Sequence, residues 1–379
     1  MKRILLSGAA SFLLAGCSLF DAINPFTGSA PKMAELQPIQ AAAEVRVLWQ
    51  ESVGKGEDSV FVPAVVGSSS YAAARDGTIV RLDDGQLVWK IKAEQALSGG
   101  VGADERTLAV GTAKGDVFAL AASDGHLLWK AKVGSEIIAP PTVGAGLVIV
   151  RSGDHRLTAF NAFDGQRKWI YQRPGTSLSL RSTASPVLLD KYVFAGFPGG
   201  KLIAVGVDSG APLWEGTVAL PRGVTELDRI ADVSSAPATD GRMICAVAFQ
   251  GQVACFDLAS GSLIWTRGIS SAAGLAIDVQ HVYVTDDKGA VHALDKASGA
   301  SIWKQDKLVL RQLTAPLPRR NLVAVADVQG IVHYLNRDDG AFAARVATDG
   351  SPITAPLQKL GSDLLVQTRA GRVLAIEVP

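Results

Sequence analysis

The chain has 379 residues, 48% of them hydrophobic and 19% charged, with a formal net charge of +1. That balance excludes a disordered protein and predicts a large buried core. A charge so near zero leaves no electrostatic footprint for nucleic acid, and 39 glycines point to many tight turns.

The first element is an address. "MKRILLSGAASFLLAGC" has a basic start, Lys2 and Arg3, then an apolar run from Ile4 to Leu14 that is too short to span a membrane. It ends in Leu14-Ala15-Gly16-Cys17, which resembles the bacterial lipobox. That resemblance implies a signal peptide over 1–16 and an acylated Cys17. Several acyl chains, at roughly 0.8 kcal/mol per buried CH₂, make a stable anchor. Ser18 follows the cysteine, and by resemblance to Gram-negative lipoproteins the absence of Asp there implies the outer membrane. Residues 17–43, with "NPFTGSAPK" and "QPIQAAAE", show no periodicity and read as a flexible tether.

Residues 44–379 repeat. Trp49, Trp89, Trp129, Trp169, Trp214, Trp265 and Trp303 are 40, 40, 40, 45, 51 and 38 residues apart. Six of them follow a turn glycine by four residues, as in "DGQLVW", "DGHLLW" and "SGSLIW", and a further copy, "DGAFAA", has Ala344 in the tryptophan slot. Upstream of each is a second hairpin signal, such as "AKGDVFAL" or "DKGAVHAL". Short alternating apolar runs bounded by Asp-Gly or Ser-Gly are strands joined by tight turns. A unit of about 40 residues with four short strands has the size of one propeller blade. Eight such units fit, predicting an all-β, eight-bladed propeller of four-stranded antiparallel blades. The last unit, "ITAPLQKLGSDLLVQTRAGRVLAIEVP", supplies only three strands. The strand around Trp49 is predicted to complete it, which closes the ring and protects its edges. Each tryptophan is expected to fill the gap between blades, with an acceptor for its indole N–H.

Two units are too long. From Trp129 to Pro140 is 11 residues, but from Trp169 to Pro186 is 17 and from Trp214 to Pro237 is 23. Both insertions connect an outer strand to the next inner strand, so they are expected side by side on one face. The first, "YQRPGTSLSLRSTASP", carries Leu178, Leu180 and Arg181; its leucines either project together from an extended segment or fold inward. The second, "TVALPRGVTELDRIADVSSAP", carries Glu226, Asp228, Arg229 and Asp232, as a recognition surface or as a solvated loop with Asp228 and Arg229 paired locally.

The repeat resembles the PQQ-like (quinoprotein) propeller repeat, and "GAVHALDKASGASIW" at 289–303 fits it best. With the lipobox and tether, the chain resembles the BamB family of the Gram-negative outer-membrane β-barrel assembly machinery. That resemblance implies a non-enzymatic, lipid-anchored scaffold on the periplasmic face of the outer membrane. Its implied partners are a POTRA domain of the barrel subunit BamA, the rest of that complex, and nascent outer-membrane proteins. "SLSLR" and "ELDRIAD" resemble the segments that meet BamA in that family, which implies Leu178, Leu180, Arg181, Glu226, Asp228, Arg229 and Asp232 as partner-binding residues. Ser234 stands where members of that family have a second acid.

Another periplasmic adaptor is one alternative, and a quinoprotein dehydrogenase another. The second would need PQQ, Ca²⁺ and a catalytic carboxylate. Eight minimal blades leave little chain for that, no two cysteines are adjacent, and His126, His155, His281, His292 and His333 lack metal-ligand spacing. No cofactor, metal or catalytic residue is therefore expected. Asp83, Asn161, Asp295 and Asn336 recur before turns and read as caps. Cys245 and Cys255 flank the turn at Gly251, as a disulfide or as two small buried residues.

Overall fold

A computed structural model describes residues 32–42, 44–173 and 178–378. The lipobox and Cys17 lie outside the described residues.

The described chain forms eight four-stranded antiparallel sheets, seven of them built from strands consecutive in sequence, and no helix is present among the described residues. Blade 3, for example, comprises Thr142–Gly144, Leu147–Ser152, Arg156–Asn161 and Arg167–Gln172 from inside to outside. Blade 4 follows with Val187–Leu189, Tyr192–Phe197, Lys201–Gly206 and Pro212–Thr217. The innermost strands and their approaches surround one axial channel. The predicted closure is present: Val47–Ser52 pairs with Arg372–Ile376 and makes the outer strand of blade 8.

Alternation is confined to the outer strands. Arg167–Gln172 alternates in exposure, whereas every residue of Leu147–Ser152 and Tyr192–Phe197 is buried. Blades pack face to face, so the middle strands are covered on both sides and need continuous apolar runs. Each apolar cluster bridges two blades, as where Phe194, Leu202 and Trp214 of blade 4 meet Ile244, Ala254 and Phe256 of blade 5.

Each tryptophan crosses to the next blade. The Trp129 indole N–H donates to Ala162 O at 2.9 Å, and Trp89, Trp169, Trp214, Trp265 and Trp303 donate likewise to the blade that follows. The ring lies on the next blade's turn glycine, where a Cβ on Gly165 would come within 2.6 Å of Trp129. That glycine is constrained twice, by its φ of 71° and by the indole above it. The exception at Ala344 now has a cause. In blade 8 the third and outer strands come from opposite ends of the chain, so no turn waits there for a tryptophan from blade 7.

Asn161, Asp295 and Asn336 do cap their turns, accepting from Phe163 N, Ser298 N and Asp338 N at 2.8, 2.8 and 3.0 Å. Asp83 instead pairs with Arg81 at 2.8 Å. Cys245 and Cys255 are directly opposite on adjacent strands and form a disulfide.

The segment read as a free tether is held to the disc over its described part from Ala34. Ala34 N donates to Val309 O at 3.0 Å and Ala42 N to Ala343 O at 2.8 Å. Buried Arg311 donates to Asp327 Oδ2, Gln329 Oε1 and Ala34 O, while Arg345 donates to Gln37 O at 2.6 Å. Leu36 packs against the cluster of Trp303, Leu313 and Leu335. No sequence period marks this docking, because its hydrogen bonds are to backbone carbonyls and Leu36 is a single apolar contact.

Candidate docking surface on the insertion face

The two insertions are neighbours, as their place in the repeat predicts. Strands alternate in direction, so every outer-to-inner connection emerges on one face. Leu180 N donates to Asp232 Oδ2 at 2.7 Å and Ser182 Oγ to Ser234 O at 2.8 Å. Asp232 also accepts from Gly199 N at 3.1 Å, and its backbone O accepts from Phe249 N at 2.9 Å. One carboxylate thus ties the first insertion, blade 4 and the second insertion together.

Asp232 therefore differs from its expected place among exposed recognition charges: it is only 3% exposed. A buried carboxylate is tolerated when backbone N–H groups surround it. Its role here is to position the loops.

The rest of the second insertion is a solvated turn. Asp228 accepts from Thr225 N and Thr225 Oγ1 accepts from Asp228 N, each at 3.1 Å; hydrogen bonding of the Thr225 hydroxyl and amide to the carboxylate holds it below the usual range. Arg229 lies 3.6 Å from Glu226 and donates to Gly223 O at 3.2 Å, so its local partner is Glu226, not Asp228. Gln250 of blade 5, with its amide nitrogen toward the turn, lies 3.1–3.2 Å from the carbonyls of Leu227, Asp228 and Ile230. A rigid blade thereby supports an exposed loop.

In the first insertion, Leu178 is 46% exposed and Leu180 is half-buried. The Arg181 guanidinium is exposed and pairs with Glu136 through two contacts of 3.0 and 2.7 Å. Three apolar residues escaped the sequence reading. Leu220, Leu227 and Val224 are exposed, Val224 to 90%. Their signal was available, as large apolar side chains in a loop of otherwise polar character. With Leu178 they give the face apolar anchors within a charged rim. The Ser234 hydroxyl has no hydrogen-bond partner among the described residues.

The axial channel offers a second candidate site. Proline, alanine, serine and threonine dominate its lining, with Lys359 as its one ionisable residue. PQQ is a polycarboxylate that is held with Ca²⁺, and Ca²⁺ requires several oxygen ligands, usually carboxylates. This lining does not fit that pair. Among the described residues no group of three His, Cys, Asp or Glu could hold a metal ion.

Comparison with known proteins bears on the family and the fold. The sequence profile described as outer membrane protein assembly factor BamB matches residues 75–305. The outer membrane protein assembly factor BamB of Bordetella pertussis is 43% identical over 366 residues, covering 96% of this chain and 94% of that protein. The crystal structure of BamB from Moraxella catarrhalis superposes with a TM-score of 0.83 at 27% identity, over 88% of this chain and 100% of that one. A quinohemoprotein alcohol dehydrogenase from Comamonas testosteroni reaches a TM-score of 0.69 at 13% identity, over 88% of this chain and 76% of that one, and shares the fold alone. On the profile match and the near-full-length identity, this chain belongs to the outer membrane protein assembly factor BamB family.

Proposed function

We propose that the protein is a non-enzymatic scaffold, anchored by lipid at Cys17 to the periplasmic face of the outer membrane. There it assists the assembly of outer-membrane β-barrel proteins by docking on a POTRA domain of BamA. The observation that carries this reading is the insertion face. Two excess loops, on consecutive blades of an otherwise minimal disc, are clasped by Asp232 and present Leu178, Leu220, Val224 and Leu227 beside Arg181, Glu226, Asp228 and Arg229. Non-obligate interfaces combine such apolar anchors with a polar rim.

The mode of docking follows from the same geometry. An edge strand added along 178–181 would need free backbone donors, but the Leu180 amide is committed to Asp232. Side chains, not an added strand, are the contacts this face offers.

The test is co-purification with BamA from outer membranes. Leu178→Asp combined with Arg181→Glu should abolish recovery of BamA while the fold stays intact by circular dichroism, since both side chains reach solvent and an exposed pair such as Arg181–Glu136 contributes at most about 1 kcal/mol. Undiminished recovery would remove these residues from the interface. For the anchor, Cys17→Ser should release the protein from membranes and end palmitate labelling.

A further inference from the structure

Under the insertion face lies a charge that the fold does not explain. Arg151 is the penultimate residue of the second strand of blade 3 and is 6% exposed. The same register position is held by Ala73, Gly111, Gly196, Val247, Thr285, Ala326 and Gln367 in the other seven blades. All seven are neutral. An arginine here is thus not required by blade packing.

Its guanidinium makes no hydrogen bond and no ion pair among the described residues. One face packs 5.5 Å from the centre of the Phe197 ring, which leaves the edge of the fork, where the N–H groups are, to other partners. Burial pulls the guanidinium down to about 10, and the nearby Asp232 charge opposes that fall. It stays charged at neutral pH. A buried charge without an acceptor is costly.

The guanidinium lines a cavity of about 60 Å³ formed with Glu136, Ser152, His155, Ser179, Leu180 and Arg181, among others. Since a water needs about 10–15 Å³ of such space, the cavity admits a carboxylate with a water or two and excludes an organic cofactor. Its other donors are engaged. Ser152 Oγ donates to Asp154 Oδ1 at 2.5 Å, Ser182 Oγ to Ser234 O, and Ser179 Oγ lies 3.3 Å from His155 Nε2. Burial, with the Arg151 charge beside it, lowers the His155 imidazole and keeps it neutral. Arg151 and Arg181 face Glu136 in the lining, and the Asp232 carboxylate behind the wall offsets part of the Arg151 charge. What is left without a partner is the donor edge of the Arg151 guanidinium, which suits one carboxylate and is too little for a phosphate dianion. A planar carboxylate also fits the guanidinium fork in two places.

We infer that the Arg151 cavity receives one carboxylate side chain, aspartate or glutamate, of the protein that docks on the insertion face. This rests on the docking reading above, because Leu180 and Arg181 belong both to the cavity wall and to that surface. The cavity then supplies the polar specificity that the apolar anchors lack, and the incoming carboxylate supplies the missing acceptor.

Two measurements separate the site from the docking. In the first, the purified chain with ¹⁵N-labelled arginine is titrated with sodium acetate, sodium chloride and acetamide. Acetate alone should move the Arg151 Nε–H resonance saturably, at millimolar concentrations. No acetate-specific shift overturns the site. In the second, binding to the periplasmic region of BamA is measured by biolayer interferometry. Arg151→Gln should weaken it at least tenfold and Arg151→Lys by less, since lysine keeps the charge but loses the fork. Wild-type affinity in Arg151→Gln, with binding lost in Leu178→Asp, refutes the carboxylate receptor and leaves the docking surface standing. No binding by the wild-type chain refutes the docking reading and this partner with it. If Arg151→Gln fails to fold by circular dichroism, the acetate titration of the wild type decides.

Discussion

Asp232→Ala tests whether the insertion face is a preformed surface. The carboxylate accepts two half-buried backbone N–H bonds, from Leu180 at 2.7 Å and Gly199 at 3.1 Å. A hydrogen bond to a charged group contributes about 1.5–3 kcal/mol. The pair is thus worth about 3–6 kcal/mol if nothing relaxes. The first insertion can lift and rehydrate its amide, so about 3 kcal/mol is expected. At 1.36 kcal/mol per factor of ten, protection of the Leu180 amide from hydrogen exchange should fall about 100-fold. Gly199 should lose less, because blade 4 holds its neighbours. Binding to BamA should weaken although Asp232 is buried, since the apolar anchors lose their common frame. Asp232→Asn should fall between, keeping the shape and losing the charge. Leu180 protection within threefold of wild type would refute the clasp, and unchanged binding despite lost protection would show that the partner orders the loop for itself.

Other outcomes are also expected. Trp129→Ala should cost about 3–5 kcal/mol, as a large core truncation does, whereas Ala344→Trp should destabilise because no turn glycine receives it; urea melts measure both. Reduction of Cys245–Cys255, which closes a separation of 10 residues, should cost up to about 3 kcal/mol on the chain-entropy account and is read by comparing melts with and without dithiothreitol. Burial depresses His333 and His155 below the ordinary histidine value of about 6.5. The unfolded chain therefore binds protons first, and stability should fall as pH drops below about 6.5. Asp327, depressed by its hydrogen bonds to His333, Ile331 N and Arg311, adds stability above its unfolded value of 3.8 that is lost as pH falls further. His333→Gln should flatten the upper part of that curve.

The ring was legible because its determinants are local. A glycine four residues before six of the seven tryptophans states the turn and the interblade contact together, and a missing outer strand at one end implied its donor at the other. The place of the insertions was legible too, since tryptophan-to-proline spacing isolates them. Burial within them was not. Asp232 looks like Asp228 in sequence, and only the approach of Leu180 and Gly199, 52 and 33 residues away, makes it a clasp. Arg151 was equally hidden, because a charge at a strand end reads as solvated until the next blade covers it. The docking of residues 34–42 rests on carbonyls, which no side-chain pattern reveals.

That docked leader has a mechanical consequence. The strand that locks the ring is the first one among the described residues, and the covalent path to it from the N-terminal side passes Ala34, Gln37 and Ala42. Tension applied from that side must first peel Ala34 from Val309 and Arg311, then Gln37 from Arg345, then Ala42 from Ala343, before it loads Val47–Ser52. The leader acts as a strain relief. Pulling on it sheds small contacts in series while the seam between Val47–Ser52 and Arg372–Ile376 within blade 8 stays shut.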